Sequence, residues 1–240
     1  MGQNTLRIAS YNIRKARGLD QKVRPDRILN VVNSIAADVV VLQEADKRLG
    51  VREPAVGRDM ISHETDFELV EVSQNQISLG WHGNAILLRK GLNVASFERI
   101  DLPALEPRGA LRIDLDGFAD LSIVATHLGL LRRNRNAQLK AIDNATKDCG
   151  HLVIAGDMNE WSKHGGFAPL KERFDVLSPG HSFHAKRPIA ALDRFALSKQ
   201  VTLNDAGVVQ TALAKRASDH LPIWCDVSVG DGSADSRHPA

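Results

Sequence analysis

Short apolar runs recur along the chain, and most of them end in a polar or charged residue on the C-terminal side. Each run has the length of a strand that is covered on both faces. The runs cover Leu6–Tyr11, Val39–Leu42, Ala85–Leu88, Leu121–Ala125 and Leu152–Ala155. Further along, the segment from Leu221 to Val229 alternates apolar with polar positions, which predicts a strand with one covered face.

Helical spacing of apolar residues marks three other segments. Pro25 precedes apolar positions 28, 31, 32 and 35, and proline suits the first turn of a helix. A second helix is predicted from Asn134 to Asp148, closed by Gly150. A shorter third helix is predicted through residues 167–174. This mixture of strands and helices predicts sheets that are covered by helices.

Composition adds few constraints. The 240 residues are 43% hydrophobic and 25% charged, and the formal net charge of +2 is too small to indicate a nucleic-acid partner. We expect one domain over residues 1–229 and a disordered tail over 230–240. Cys149 and Cys225 lack the spacing of a zinc site or a disulfide framework. Because we find no secretion signal and no apolar run long enough to cross a bilayer, a cytoplasmic location is expected.

Polar side chains follow the predicted strands at positions where a purely structural strand would not need them. Taken singly, each is more often a solvated or capping residue. Taken together, they predict one site, because loops at strand ends can bring several side chains to one ligand. These residues are Asn12, Glu44, His127, Asp157, Asn159, Asp219 and His220.

The chemistry of this set indicates a hard cation and a phosphate substrate. Carboxylates Glu44, Asp157 and Asp219 and the two amides supply oxygen ligands without any thiolate, which suits Mg²⁺, Mn²⁺ or Ca²⁺. Hydrolysis of a phosphate ester also requires a base for water, and His220 is the candidate. Asp193 is the candidate carboxylate that fixes the tautomer of that histidine.

Five short motifs occur in an order that resembles one known family. They are Tyr11-Asn12, Leu42-Gln43-Glu44, Gly156-Asp157-Met158-Asn159, Leu192-Asp193-Arg194 and Ser218-Asp219-His220. From about Leu6 to Val229 the chain resembles the endonuclease/exonuclease/phosphatase superfamily. The resemblance implies an α/β (α+β) fold of the DNase I-like type, a four-layer α/β/β/α sandwich in which two packed mixed β-sheets are flanked by helices. It also implies hydrolysis of phosphodiesters or phosphomonoesters with a divalent metal, Mg²⁺ or alternatively Mn²⁺.

The resemblance also implies a role for each site residue. Glu44 would be the principal metal ligand, with Asn12 and Asp219 near the metal. Asp157 and Asn159 would position the water and the phosphoryl oxygen. His220 would be the base, oriented by Asp193, and His127 would hydrogen-bond the phosphate or protonate the leaving oxygen. Arg108 matches a position that contacts substrate phosphate, although it can equally be read as a surface arginine in the turn after Pro107.

Two positions narrow the choice of branch. The abasic-site repair branch carries an acidic residue where this chain has Arg14, and a tyrosine where it has His127. In having a histidine at position 127, the chain resembles the branch that contains secreted DNases, sphingomyelinases and small bacterial hydrolases. The segments GWHGNA, LEPRGAL, THLGL and GDMNEW resemble the last of these groups most closely. We therefore expect a magnesium-dependent phosphodiesterase, with no obligate protein partner implied.

The substrate class stays open at this level. Arg132, Arg133, Arg135 and Lys140 would attract nucleic-acid phosphates if their loop flanks the site, but a solvated helix face explains them as well. Trp161 is the aromatic residue best placed to touch a substrate. A lipid headgroup phosphodiester and a small phosphorylated metabolite are the other substrate classes. A lipid headgroup would need an apolar landing surface, and no surface hairpin in the sequence obviously provides one. A nuclease and a non-catalytic module that binds phosphate ligands are the alternative functions.

Overall fold

The computed structural model describes residues 5–230 except 49, 104–105, 119 and 164. Of the tail predicted over 230–240, only Gly230 is among the described residues, and residues 231–240 lie outside them. Among the described residues, no helix combines the length and the apolar character that a membrane crossing requires.

The first six-stranded sheet is built from both ends of the chain. In sheet order its strands are β11 (Val201–Val208), β12 (Ile223–Val229), β1 (Thr5–Asn12), β2 (Val39–Gln43), β4 (Ala85–Arg89) and β3 (Phe67–Leu69). Strands β1 and β2 are parallel, with Asn12 opposite Gln43, so both strands end at the same edge of the sheet. Strand β12 runs antiparallel to β1 and begins near that edge.

The second six-stranded sheet uses the middle of the chain. In sheet order its strands are β5 (Val94–Leu102), β6 (Arg108–Leu115), β7 (Leu121–His127), β8 (His151–Asp157), β10 (Asp193–Ser198) and β9 (Phe174–Leu177). Strands β7 and β8 are parallel, with His127 opposite Asp157. Strand β10 is antiparallel to β8, and its first residue, Asp193, also lies opposite Asp157.

Three apolar clusters hold the layers together. Between the sheets, Ile8 and Val41 of the first belong to one buried cluster with Ile123 and Phe195 of the second. A second cluster packs helices α1 (Pro25–Ile35), α2 (Arg58–Glu64) and α4 (Ala214–Ala217) on the outer face of the first sheet. A third packs helix α3 (Arg132–Ala145) on the outer face of the second. The predicted four-layer α/β/β/α sandwich is confirmed.

Two of the helix predictions need correction. Helix α3 begins two residues earlier than predicted and ends at Ala145, where the Thr146 hydroxyl donates to the carbonyl of Ile142, so Gly150 does not cap it. The predicted helix through residues 167–174 is wrong. That segment forms a short 3-10 turn at Ala168–Leu170 and then enters β9, which pairs with β10.

Candidate active site

The polar strand ends of the two sheets meet at one edge of the sandwich. Asn12, at the end of β1, donates a hydrogen bond from Nδ2 to Oδ2 of Asp157, at the end of β8, over 3.0 Å. Their positions in the sequence differ by 145, and they belong to different sheets. This bond therefore links the two sheets at the edge where the predicted site residues gather.

His220 and Asp193 form a buried pair. The imidazole Nδ1 of His220 donates to Oδ2 of Asp193 over 2.8 Å, and both side chains are almost wholly removed from solvent. The hydroxyl of Ser182 donates to the same carboxylate oxygen. Ser182 belongs to no motif and was missed by the sequence analysis, because it becomes a neighbour of Asp193 only through the loop between β9 and β10.

The other ring nitrogen of His220 faces a second carboxylate. Its Nε2 lies 3.7 Å from Oδ2 of Asp157. Burial favours the neutral imidazole, but the charges of Asp193 and Asp157 outweigh burial and raise the pKa of His220 above its ordinary value. The ring is therefore oriented at Nδ1 and presents Nε2 to Asp157.

His127 also lies beside the Asp157 carboxylate, but its pKa is displaced in the direction opposite to that of His220. Its Nε2 lies 3.4 Å from Oδ2 of Asp157, within a buried environment. Burial lowers the pKa of His127 to about 4, and the charge of Arg108 acts in the same direction, against the attraction of Asp157. Two imidazoles thus share one carboxylate, with their pKa values displaced in opposite directions.

The backbone around Asp157 is fixed by tight local geometry. A Cβ at Gly156 would lie 1.9 Å from the carbonyl oxygen of Thr126, so only glycine fits between β7 and β8 there. The backbone amide of Asn159 donates to Oδ1 of Asp157 over 3.0 Å, and its side-chain amide donates to the carbonyl of Leu128 over 2.9 Å. These bonds orient the Asp157 carboxylate toward the two histidines.

Two carboxylates, Glu44 and Asp219, face a cavity of about 490 Å³ and are each paired with a cation. Lys15 forms a hydrogen-bonded ion pair with Glu44, and Arg14 Nε lies 3.3 Å from Oδ2 of Asp219. Burial raises the pKa of Glu44, but Lys15 and His127 outweigh it and hold that pKa below its ordinary value. Arg14 and Lys15 reach these acids from a turn in which both have left-handed backbone angles.

These donors fit a hard cation. Glu44 and Asp219 offer partly exposed carboxylate oxygens at the edge that Asn12 also occupies, and no thiolate is among them. Asp157, Asp193 and His220 also place ligand atoms within 4.8 Å of one another. In that second group, however, the Nδ1 of His220 is already hydrogen-bonded to Asp193. The Glu44 side of the site has the more exposed oxygen ligands.

Arg108 opens β6 and lines a cavity of about 290 Å³ together with Glu44 and His127. Its side chain is only 9% exposed, and its Nη2 lies 3.7 Å from the carboxylate of Glu106. Burial lowers the pKa of Arg108. This placement disagrees with the reading of Arg108 as a surface arginine in a turn.

The basic residues at the start of α3 have a structural explanation. Arg132 and Arg135 both pair with Glu160, at 3.0 and 2.8 Å, and Glu160 is buried in the loop after β8. Arg135 is itself buried, so the solvated helix face does not describe it. Trp161, the next residue of that loop, is 60% exposed and contacts the ring of Phe183 edge-on.

Residues 9–220 match the model of the endonuclease/exonuclease/phosphatase family. A search of the curated proteins finds no significant match. Three solved structures share the fold. They are an endonuclease/exonuclease/phosphatase family protein from Bacteroides thetaiotaomicron (16% identity, TM-score 0.77, 96% of this chain and 100% of that one), D. rerio TDP2 complexed with single-strand DNA product (19%, 0.71, 94% and 99%) and a mannosyl-6-phosphatase from Bacteroides thetaiotaomicron (16%, 0.72, 92% and 99%).

Proposed function

Because this chain belongs to the endonuclease/exonuclease/phosphatase family of phosphoester hydrolases, we propose that it is a divalent-metal-dependent phosphodiesterase that uses the Asp193–His220 pair as its general base. The observation that carries the proposal is the position of the His220 ring. Its Nδ1 is held by buried Asp193, while its Nε2 points to Asp157 at the edge where both sheets end. An imidazole held in this way is oriented for proton transfer.

The metal in this proposal is Mg²⁺, with Mn²⁺ as a substitute, held by Glu44, Asn12 and Asp219. When bound, it supplies positive charge against the phosphoryl oxygens, which stabilises charge that develops during hydrolysis. Lys15 and Arg14 neutralise Glu44 and Asp219 when no cation is bound.

Once Nε2 of His220 has lost its own proton, it takes the proton of the attacking water. Asp193 accepts the hydrogen bond from Nδ1 and stabilises the imidazolium that results, and Ser182 keeps the Asp193 carboxylate in place. Asp157 and Asn159 orient the water and a phosphoryl oxygen. Water is thereby activated within a hydrogen-bonded cluster that solvent barely reaches.

Arg108 and His127 act on the substrate phosphate from the other side of Glu44. The guanidinium of Arg108 offers several N–H donors to phosphoryl oxygens. Because its pKa is lowered to about 4, His127 is neutral near pH 7 and acts as a hydrogen-bond donor to the phosphate or the leaving oxygen. Of the two roles expected for His127, hydrogen bonding is favoured over a stored proton.

Two alternatives remain. The fold neighbours include a protein solved with a single-strand DNA product and a mannosyl-6-phosphatase, so the shared fold selects neither nucleic acid nor sugar phosphate for this chain. A binding module without turnover would need none of the bonds that align His220. Because Asp193 orients this ring and Ser182 in turn holds Asp193, we favour catalysis.

The deciding experiment measures release of nitrophenol from bis(4-nitrophenyl) phosphate with Mg²⁺ or Mn²⁺. We expect turnover that EDTA abolishes and added Mg²⁺ restores, and a loss of about a hundredfold or more in Glu44→Gln and His220→Ala. His181→Ala, which removes an exposed histidine from a nearby loop, is the matched control. Full turnover in EDTA or in His220→Ala would overturn the proposal. Plasmid DNA, phospholipids and sugar phosphates, assayed in parallel, then identify the substrate class.

A further inference from the structure

The most exposed apolar side chains of the described residues lie together beside the candidate site. Leu130 is 75% exposed, Ile189 is 61% exposed, and Leu131 and Trp161 are each 60% exposed. No other large apolar side chain in the described part of the chain is as exposed as these four. We call these four residues the apolar rim. A concentration of this kind on one surface marks an interaction site more often than chance exposure does.

The rim residues lie in three loops: the first follows β7, the second follows β8, and the third connects β9 to β10. Arg132, next to Leu131, pairs with Glu160 in the second loop over 3.0 Å. Trp161, next to Glu160, has its ring centre 5.9 Å from that of Phe183 in the third loop. The backbone amide of Ile189 donates to the carbonyl of Phe183 over 2.7 Å. The three loops that carry the rim residues therefore lie next to one another.

The rim borders the residues assigned to catalysis. Its loops leave the second sheet at the ends of β7 and β8 and precede the start of β10, which are the positions of His127, Asp157 and Asp193. The ring centre of Phe183 is 5.0 Å from that of His220. A surface docked on the rim would thus lie at the mouth of the site.

The charge of these loops is one-sided. Segments 128–136, 158–167 and 178–192 contain six arginines and lysines but one acidic residue, Glu160, which is buried and already paired with two arginines. Five of the basic residues are exposed, and four of these five have no carboxylate partner among the described residues. We call these four the rim cations: Arg133, Lys163, Lys186 and Arg187.

We propose that the apolar rim and the rim cations dock on an anionic lipid bilayer, and that the substrate is a phosphodiester carried by a lipid of that bilayer. The statement on the substrate rests on the proposed function, whereas docking does not. Leucine and isoleucine enter the acyl region, tryptophan suits the interface, and lysine and arginine attract anionic headgroups. The landing surface is thus formed by three loops that are separate in the sequence. No single segment of the sequence therefore predicts it.

Other occupants fit the rim less well. Single-stranded nucleic acid binds through a row of aromatic platforms, and only Trp161 among the four rim residues is aromatic. A second copy of the chain would bring two cationic surfaces face to face, which like charges oppose. An anionic bilayer satisfies both the exposed aliphatic groups and the unpaired cations.

The test uses the full chain and sedimentation with vesicles of phosphatidylglycerol or of phosphatidylcholine. We expect binding to the anionic vesicles, weakened by salt, and little binding to the zwitterionic ones. Leu130→Ser/Leu131→Ser and Lys186→Glu/Arg187→Glu should each weaken binding by about tenfold or more. Leu203→Ser and Lys199→Glu change exposed residues at the opposite end of the sandwich and should bind as the unmodified protein does.

Several outcomes would overturn docking. One is that the protein fails to sediment with anionic vesicles, and another is that the rim variants bind vesicles as well as the controls do. A rim that instead binds single-stranded DNA or a second copy of the chain would also contradict docking on a bilayer. Circular dichroism of each variant excludes unfolding as the cause.

Hydrolysis of bis(4-nitrophenyl) phosphate, measured on the same preparations, separates the two proposals. Docking without any hydrolysis contradicts the proposed function alone, and hydrolysis without docking contradicts the rim alone. Hydrolysis of the soluble ester but of no vesicle phospholipid by a docked protein contradicts the lipid substrate.

Discussion

Nδ1 of His220 lies 2.8 Å from Oδ2 of Asp193, although Asp193 begins β10 of the second sheet and His220 lies in the loop before β12 of the first. A carboxylate only accepts hydrogen bonds, so the proton of this bond belongs to the imidazole. Nε2 is then the nitrogen left to exchange a proton at the site. The role of His220 therefore depends on Asp193 remaining a hydrogen-bond acceptor.

Asp193→Asn is expected to lower kcat by about a hundredfold or more while the fold is kept. The amide has the size of the carboxylate, but it can donate to Nδ1 and so favour the wrong tautomer of His220. Steady-state kinetics with bis(4-nitrophenyl) phosphate measure the change. Asp175→Asn, on an exposed position of β9, is the control. An unchanged kcat in Asp193→Asn would remove His220 from the role of base.

Ser182→Ala is expected to lower kcat by about tenfold and to leave KM unchanged, because the lost hydrogen bond orients Asp193 and does not touch substrate. Ser182 is a positioning residue in this account. The free energy of unfolding of the Ser182→Ala variant should be lower than that of the unmodified protein by about 1 kcal/mol. If KM rises while kcat stays constant, Ser182 acts on substrate binding and the assignment fails.

Arg108→Gln is expected to raise KM for a phosphodiester by about tenfold or more, because a hydrogen bond to a charged group contributes about 1.5–3 kcal/mol. Its low exposure and its place beside His127 and Glu44 put the guanidinium on the substrate side of the site. Lys199→Gln, at the far end of the second sheet, is the control. Equal KM values for both variants would return Arg108 to a structural role.

Glu160→Gln is expected to destabilise the protein by about 3 kcal/mol at pH 7, because it leaves buried Arg135 without its charge partner. Burial raises the pKa of Glu160, but its bonds to Arg132, Arg135 and the Ser162 amide outweigh burial and lower it to about 2. A carboxyl group whose pKa is lowered by folding stabilises the folded state at pH values above its ordinary, unfolded pKa. That stabilisation is lost as the pH falls to the pKa that the group has in the folded state.

The difference in free energy of unfolding between Glu160→Gln and the unmodified chain should therefore shrink as pH falls from about 4.5 to about 2. Urea titrations at several pH values measure it. Glu172→Gln, an exposed position, provides the baseline. A difference that stays constant down to the lowest pH would show that the Glu160 charge does not support the fold.

The sequence predicted several buried strands and missed others, among them fully buried β10 and the largely exposed β5 and β11. Strands β1, β2, β4, β7 and β8 are apolar runs, so their ends and the polar residues on them could be placed in advance. Strands β5 and β11 are largely exposed, and an exposed edge strand needs no apolar pattern.

The parts of the site that escaped prediction depend on contacts distant in the sequence. Ser182 meets Asp193 through a loop, and Lys15 meets Glu44 through a left-handed turn. No local spacing encodes either contact. The rim was likewise invisible, because Leu130 and Ile189 read as ordinary apolar residues until folding leaves them uncovered.

The pairing of β1 with both β2 and β12 has a consequence for synthesis. A ribosome makes β1 first and β12 last, so one long side of β1 stays without its hydrogen-bonding neighbour while the whole second sheet is translated. Residues 218–220 emerge only just before β12, and His220 is among them. Nascent chains halted before this point should therefore lack enzymatic turnover, however much of the middle of the chain has already folded.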